Sequence, residues 1–184
     1  MDLSKSIHAL RNGKTILYPS DTIWGIGCDA TDATACDKII DLKNRPTDKS
    51  FIILMDGFPM LERYINEFHE VCYDLVDLAT QPLTIIYPNA RGLAASILAS
   101  DGSVGIRITK DPICLKLIRG LRKPLLSTSA NITGNTSPET FNDIDDEIKS
   151  SIDEIVKQRL TEQMATPSKL IKIGLSGEIT IIRK

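Results

Sequence analysis

Three cations gather around a proline in the stretch Leu42 to Ser50, LKNRPTDKS: Lys43 and Arg45 two residues apart, and Lys49 four further on. Such a cluster can be a solvated loop or a clamp for a ligand carrying several negative charges. Three other segments bear on that choice. YPSDTIWG puts the hydroxyls of Ser20 and Thr22 and the carboxylate of Asp21 straight after a strand-like run, and STSANITG puts Ser127, Thr128, Ser129 and Asn131 after another. GIRIT places Arg107 inside a strand, where a charge needs a partner. Strand ends are where open α/β sheets hold ligands. Hydroxyl and amide donors beside guanidinium and ammonium groups suit a phosphate chain and an amino-acid head group.

Other chemistries find less support. GIGCDA (residues 25–30) matches the dinucleotide fingerprint in letters only, because Ser20 to Trp24 separate it from the strand ending at Pro19 and no acidic strand end follows to hold a ribose. A loop whose glycines let backbone pass close to another segment is the preferred reading. The two histidines, His8 and His69, fall on predicted helices away from every motif and read as surface or packing residues. No G-x-S-x-G elbow surrounds Ser127 or Ser129, and there is no Walker loop. Cys28, Cys36, Cys72 and Cys114 are scattered and read as reduced thiols, with no metal site expected. An enzyme built from these parts works by charge stabilisation and positioning.

The elements that must hold these residues follow from periodicity and turn chemistry. Among 184 residues, 42% are hydrophobic and 25% charged, enough for one buried core. The net charge of −2 gives no global electrostatic case for nucleic acid. The polar N-terminus and the absence of an apolar run near the ~20 residues of a membrane span lead to the expectation of a cytoplasmic protein. Helices are predicted over LSKSIHALRNG, ending at Gly13; over DATACDKIIDLK, capped by Asp32 and stopped before Pro46; over Leu61 to Ala79, with Phe68, Val71, Cys72, Leu75 and Leu78 inward; and over DPICLKLIRGL, capped by Asp111 with Pro112 in its first turn. Strands are predicted at TILYP, SFIILM, LTIIY, VGIRIT, PLLSTSA and IDEIV, with two more in SKLIKIGLSGEITIIR joined by a Gly-Leu-Ser-Gly turn. The expected fold is α/β with a mixed, largely antiparallel twisted sheet and flanking helices, in one domain over residues 1–184.

In this order, LYPSDTIWGIGCDA, LKNRP, VGIRIT, PLLSTSANITG and the closing TPSKLIKI…GEITIIR resemble the YrdC-like threonylcarbamoyl-AMP synthases, in their single-domain form. The likeness runs from Gly13 to Arg183, and its most specific parts are the K-x-R pair, Lys43 and Arg45, and the S-x-N pair, Ser129 and Asn131. The resemblance implies an open twisted sheet with a concave basic site. It implies a nucleotidyltransferase that joins L-threonine, bicarbonate and ATP, with Mg²⁺, into threonylcarbamoyl-AMP and pyrophosphate for the modification of tRNA. It gives Lys43 and Arg45 the catalytic role of neutralising the reacting anions. Nucleotide would be held by these two with Lys49, Arg107, Ser127, Ser129, Asn131 and Ser168, and threonine by Ser20, Thr22, Trp24 and Arg45. A threonylcarbamoyl-transferase machinery is the implied functional neighbour, and tRNA or double-stranded RNA a further candidate partner.

The chain departs from the family pattern at Ser20, where threonine is usual; at Trp24, where tyrosine is usual; at Ser50, where proline or glycine is common; and at Lys169, where threonine is expected. These departures bear on amino-acid selectivity rather than reaction class. Two other readings stay open: a non-catalytic paralogue that binds RNA through the same face, and a related enzyme using another amino acid.

Overall fold

The computed structural model describes residues 2–44 and 51–184. The helix α1 (Ser4–Arg11) buries Leu10 and lays Ile7 against Gly120, where a Cβ would come within 2.5 Å of the isoleucine side chain. It ends at Asn12, with Gly13 following at φ +66°. Asp32 caps α2 (Ala33–Lys43) by accepting the Ala35 N–H, and Asn44, left-handed at φ 46°, closes it. Asp111 caps α5 (Pro112–Leu121) through the N–H groups of Ile113 and Cys114, with Pro112 in the first turn. These caps and stops stand where the sequence puts them.

Nine strands form one sheet among the described residues: β1 (Ile16–Tyr18), β2 (Gly25–Asp29), β3 (Ile52–Met55), β4 (Leu83–Tyr87), β5 (Val104–Ile108), β6 (Leu125–Ser129), β7 (Glu154–Ile155), β8 (Lys169–Ile173) and β9 (Ile179–Arg183). Their order is β7-β1-β2-β6-β3-β5-β4-β8-β9. Three pairs are parallel (β1 with β7, β3 with β5, β4 with β8) and the other five antiparallel, the mixed α/β sheet expected from interleaved helices and strands. The middle strands are apolar on both faces: Ile53, Leu54, Leu125 and Leu126 are wholly buried.

Two stretches differ from expectation. GIGCDA is a strand for most of its length, not a loop: β2 pairs with β1 and β6, and Gly27 passes so near β6 that a Cβ would lie 2.5 Å from the Leu126 carbonyl. Residues 61–79 are two helices, α3 (Phe58–Tyr64) and α4 (Val71–Leu78). The break has a cause, because buried Ile65 turns extended to bridge Ala90, and the Tyr64 carbonyl accepts the Arg91 N–H at 2.8 Å. His69 thus lies between helices, its Nδ1 accepting the Val71 N–H at 3.2 Å, and Leu78 is 78% exposed rather than inward. A further helix, α6 (Asp146–Ser151), precedes β7. No helix among the described residues is long and apolar enough to cross a membrane.

Candidate functional site

The turn after β1 is organised by one hydroxyl. Ser20 Oγ lies 2.9 Å from Thr22 Oγ1, donates to the Ile23 carbonyl at 2.8 Å, and accepts the N–H groups of Thr22 and Ile23 at 3.1 and 3.3 Å. Thr22 Oγ1 in turn accepts from Arg107 Nη1 at 3.0 Å, while Arg107 Nη2 faces Asp21 Oδ1 at 3.4 Å. The strand arginine therefore has the partners its position demands. Its third donor, buried Nε, has no hydrogen-bond partner.

The turn after β6 is organised by an ammonium. Lys43, 1% exposed at the end of α2, donates from Nζ to the Ser129 carbonyl at 2.6 Å, the Asn131 carbonyl at 2.5 Å and Asn131 Oδ1 at 3.3 Å. Ser129 Oγ donates to Asn131 Oδ1 at 2.5 Å, Asn131 Nδ2 donates to the Asn135 carbonyl at 2.5 Å, and the Thr133 N–H reaches the Lys43 carbonyl at 3.2 Å. Lysine and the S-x-N pair are one network. Lys43 and Asn131 shape the turn and are absent from the cavity wall, whereas the sequence reading put both against the ligand.

Between the two turns lies a cavity of about 250 Å³. Its lining brings together Ser20, Thr22 and Arg107 from one side and Ser127, Thr128 and Ser129 from β6. Ser137, Ser168 and Arg183 complete the polar wall, and Phe51, Ile52, Ile86 and Leu170 supply apolar surface. Ser168 Oγ is 2.7 Å from Thr84 Oγ1, and its carbonyl accepts Arg183 Nε and Nη2 at 3.0 and 2.8 Å. Burial, and then the neighbouring charge of Arg107, lower the pKa of Arg183. Behind the β6 wall, Tyr18 OH donates to Ser127 Oγ at 2.6 Å, and complete burial raises the phenol pKa. Gly105 keeps one strand low at the wall, since a Cβ there would meet Thr84 Cγ2 at 3.3 Å.

Among the described residues the lining holds seven hydroxyl side chains, two guanidiniums and no carboxylate. That composition attracts anions. It excludes no proton chemistry, but it supplies no protein base. No group of three His, Cys, Asp or Glu among the described residues could hold a metal ion.

Of the residues singled out from sequence, Ser20, Thr22, Arg107, Ser127, Ser129 and Ser168 meet in this cavity. Arg45 and Lys49 lie outside the described residues. Trp24 is fully buried, with its ring 5.2 Å from that of Phe141, its Nε1 unpartnered and no share in the lining. Sequence reasoning assigned no site role to Ser137, Thr128 or Arg183. Thr128 stands in the hydroxyl-rich segment STSANITG, Ser137 lies three residues beyond it, and Arg183 closes the segment GEITIIR.

The family model Sua5_yciO_yrdC, described by the words telomere recombination, matches residues 8–184. A threonylcarbamoyl-AMP synthase of Vibrio vulnificus is 28% identical over 173 residues, covering 88% of this chain and 89% of the relative. Sua5 of P. abyssi complexed with L-threonine superposes with a TM-score of 0.82 at 28% identity, over 92% of this chain; this chain spans half the length of that protein. E. coli YciO, at 22% identity, shares the fold with a TM-score of 0.83 over 98% of this chain and 87% of its own. With the match running from His8 to the last residue, the chain belongs to the Sua5/YciO/YrdC family.

Proposed function

We propose that this chain is an L-threonylcarbamoyladenylate synthase, a nucleotidyltransferase that makes threonylcarbamoyl-AMP and pyrophosphate from L-threonine, bicarbonate and ATP for tRNA modification. The observation that carries the reading is a cavity whose lining, among the described residues, holds two guanidiniums and seven hydroxyls and no carboxylate, in a chain whose relatives include a threonylcarbamoyl-AMP synthase matched over 89% of its length.

The chemistry needs such a lining. The amino nitrogen of threonine bonds to the carbon of bicarbonate, water leaves, and a carbamate results. A carbamate oxygen then attacks the α-phosphorus of ATP; that O–P bond forms as the bond to the β-phosphate oxygen breaks, and pyrophosphate departs. An anion attacks an anion, so the barrier is dominated by charge repulsion. Mg²⁺ enters as part of the MgATP substrate, screening the β- and γ-phosphates.

Arg107, which the resemblance gives to the nucleotide, is assigned with the Ser20–Thr22 turn to the threonine side because Nη1 is bound to Thr22, with Nε as the spare donor for a carboxylate or carbamate oxygen. Ser127, Ser129, Ser168 and Arg183 hold the nucleotide, Arg183 next to the phosphates. Arg45 supplies the catalytic neutralising charge and Lys49 a further phosphate contact. Lys43 and Asn131 serve both by setting the turn from which Ser129 reaches the cavity. Removing a charged donor to the reacting carbamate and phosphate, Arg45 or Arg107, is expected to cost ~3 kcal/mol, about a hundredfold in rate.

The test is pyrophosphate release by purified protein given MgATP, bicarbonate and L-threonine, with each component omitted in turn. Release that requires both threonine and bicarbonate supports the synthase. Folded protein with no release above the ATP-only background sinks it, and release only with serine or valine moves the assignment to another amino acid.

A further inference from the structure

We propose that Arg159 is a positioning residue for the amino-acid side of the cavity, acting through Ser20 and Asp111; the proposal rests on the synthase reading. Arg159 belongs to the connection between β7 and β8 and holds a left-handed backbone, φ 51°. A side-chain-bearing residue keeps that conformation only where its surroundings compensate. Here Nη1 donates to Asp111 Oδ2 at 2.6 Å and to the Ser20 carbonyl at 3.4 Å, and Nε lies 3.6 Å from Glu162 Oε2.

Asp111 is a firm anchor. Its side chain is 2% exposed, and its other oxygen accepts the Ile113 and Cys114 N–H groups at 2.9 Å each. Burial lowers the pKa of Arg159, but the hydrogen bond and charge of Asp111 outweigh it and raise it. The guanidinium therefore stays charged while holding two places in the chain.

Ser20 is where this pin meets the cavity. Its carbonyl takes Arg159, its hydroxyl organises Thr22, and Thr22 takes Arg107. Ser20, Thr22 and Arg107 line the cavity and Arg159 does not. The far end of the same connection is tied to the loop after β6: the Met164 N–H reaches the Glu139 carbonyl at 2.7 Å, and Gln163 Nε2 reaches Glu139 Oε2 at 2.5 Å. It then enters the nucleotide wall at Pro167 and Ser168. Arg159 fixes only the end beside Ser20, so its loss should loosen the threonine side and spare the ATP side.

An ion pair that merely stabilises α5 would have no such asymmetry. Three variants separate the two: Arg159→Met, Arg159→Lys, and the double variant Arg159→Met/Asp111→Asn, whose amide oxygen still caps α5 and leaves no orphaned buried carboxylate. KM for L-threonine and for MgATP are read from pyrophosphate release, with Tm beside them. In both Met variants threonine KM is expected to rise roughly tenfold, the lower range for groups that orient a binding residue. ATP KM should stay within about twofold by the same argument, and Arg159→Lys should restore most of the threonine KM. A folded double variant with both KM values unchanged, or both raised together, overturns the proposal while active wild-type protein keeps the synthase reading. Wild-type protein that turns over no threonine overturns both.

Discussion

The turns after β1 and β6 each join a strand end, a hydroxyl and a buried cation, and they use the cation in opposite ways. Lys43 sits behind the β6 turn and meets three acceptors there, as many as an ammonium has N–H groups. Arg107 stands in the cavity wall with Nη1 on Thr22, Nη2 facing Asp21 and Nε unpartnered. A guanidinium has five donors in a rigid fork, so it can brace a turn and still offer an N–H to a ligand. A lysine ammonium that has met three protein acceptors builds the site; an arginine with a donor to spare can also take part in it.

The sharpest way to break this comparison is Lys43→Met. The variant leaves the Asn131 carbonyl without its donor, an unsatisfied group costing about 1–3 kcal/mol if it stays buried, and takes the charged partner from the Ser129 carbonyl and Asn131 Oδ1, which keep only the Asn131 N–H and Ser129 Oγ. Stability is expected to fall by on the order of 3 kcal/mol, with pyrophosphate release falling more than about a hundredfold as the S-x-N turn loosens. Thermal unfolding decides it: a variant with wild-type Tm and no turnover would mean that Lys43 leaves the turn and acts on the ligand. Arg107→Met comes next. About a hundredfold loss in kcat/KM is expected, from the ~3 kcal/mol typical of a preorganised donor. The drop in Tm should be smaller than for Lys43→Met, because Asp21, 29% exposed, can turn to water.

How far the sequence reveals this contrast depends on how local each cause is. Helix caps are local, and Asp32 and Asp111 announce α2 and α5 because a short carboxylate before an apolar period has one good use. Strand β2 was hidden because Gly25 and Gly27 carry no β-propensity of their own; the close approach of Tyr18 to both, and of the Leu126 carbonyl to Gly27, is what calls for glycine. The break between α3 and α4 was hidden likewise, since Ile65 keeps the helical period and leaves the helix for a partner 25 residues away, Ala90. At the site, the strand ends carrying Ser20, Arg107 and Ser129 were legible as hydroxyl and charge patterns. That Lys43 faces Ser129 and Asn131, and that Trp24 is buried against Phe141, depends on long-range packing that no spacing encodes.

Arg183 extends the comparison to a third cation. It lies on β9, paired only to β8, and spends Nε and Nη2 on the Ser168 carbonyl. Arg183→Met is expected to raise ATP KM about tenfold, ~1.4 kcal/mol, with threonine KM little changed. Equal effects on both substrates would put the phosphates nearer Arg107 than the present assignment has them.

The smallest expected effect is the most discriminating. Ser129 Oγ and Lys43 Nζ donate to the same oxygen, Asn131 Oδ1. If Lys43 is what sets the β6 turn, Ser129→Ala leaves that oxygen with a charged donor and both carbonyls still satisfied. Stability should then drop by no more than ~1 kcal/mol, the net value of one hydrogen bond. Because the hydroxyl also faces the cavity, turnover should fall by about tenfold at most, with ATP KM carrying the change. A collapse in stability like that of Lys43→Met would mean that the hydroxyl, not the ammonium, organises the turn, and the contrast with Arg107 would fail.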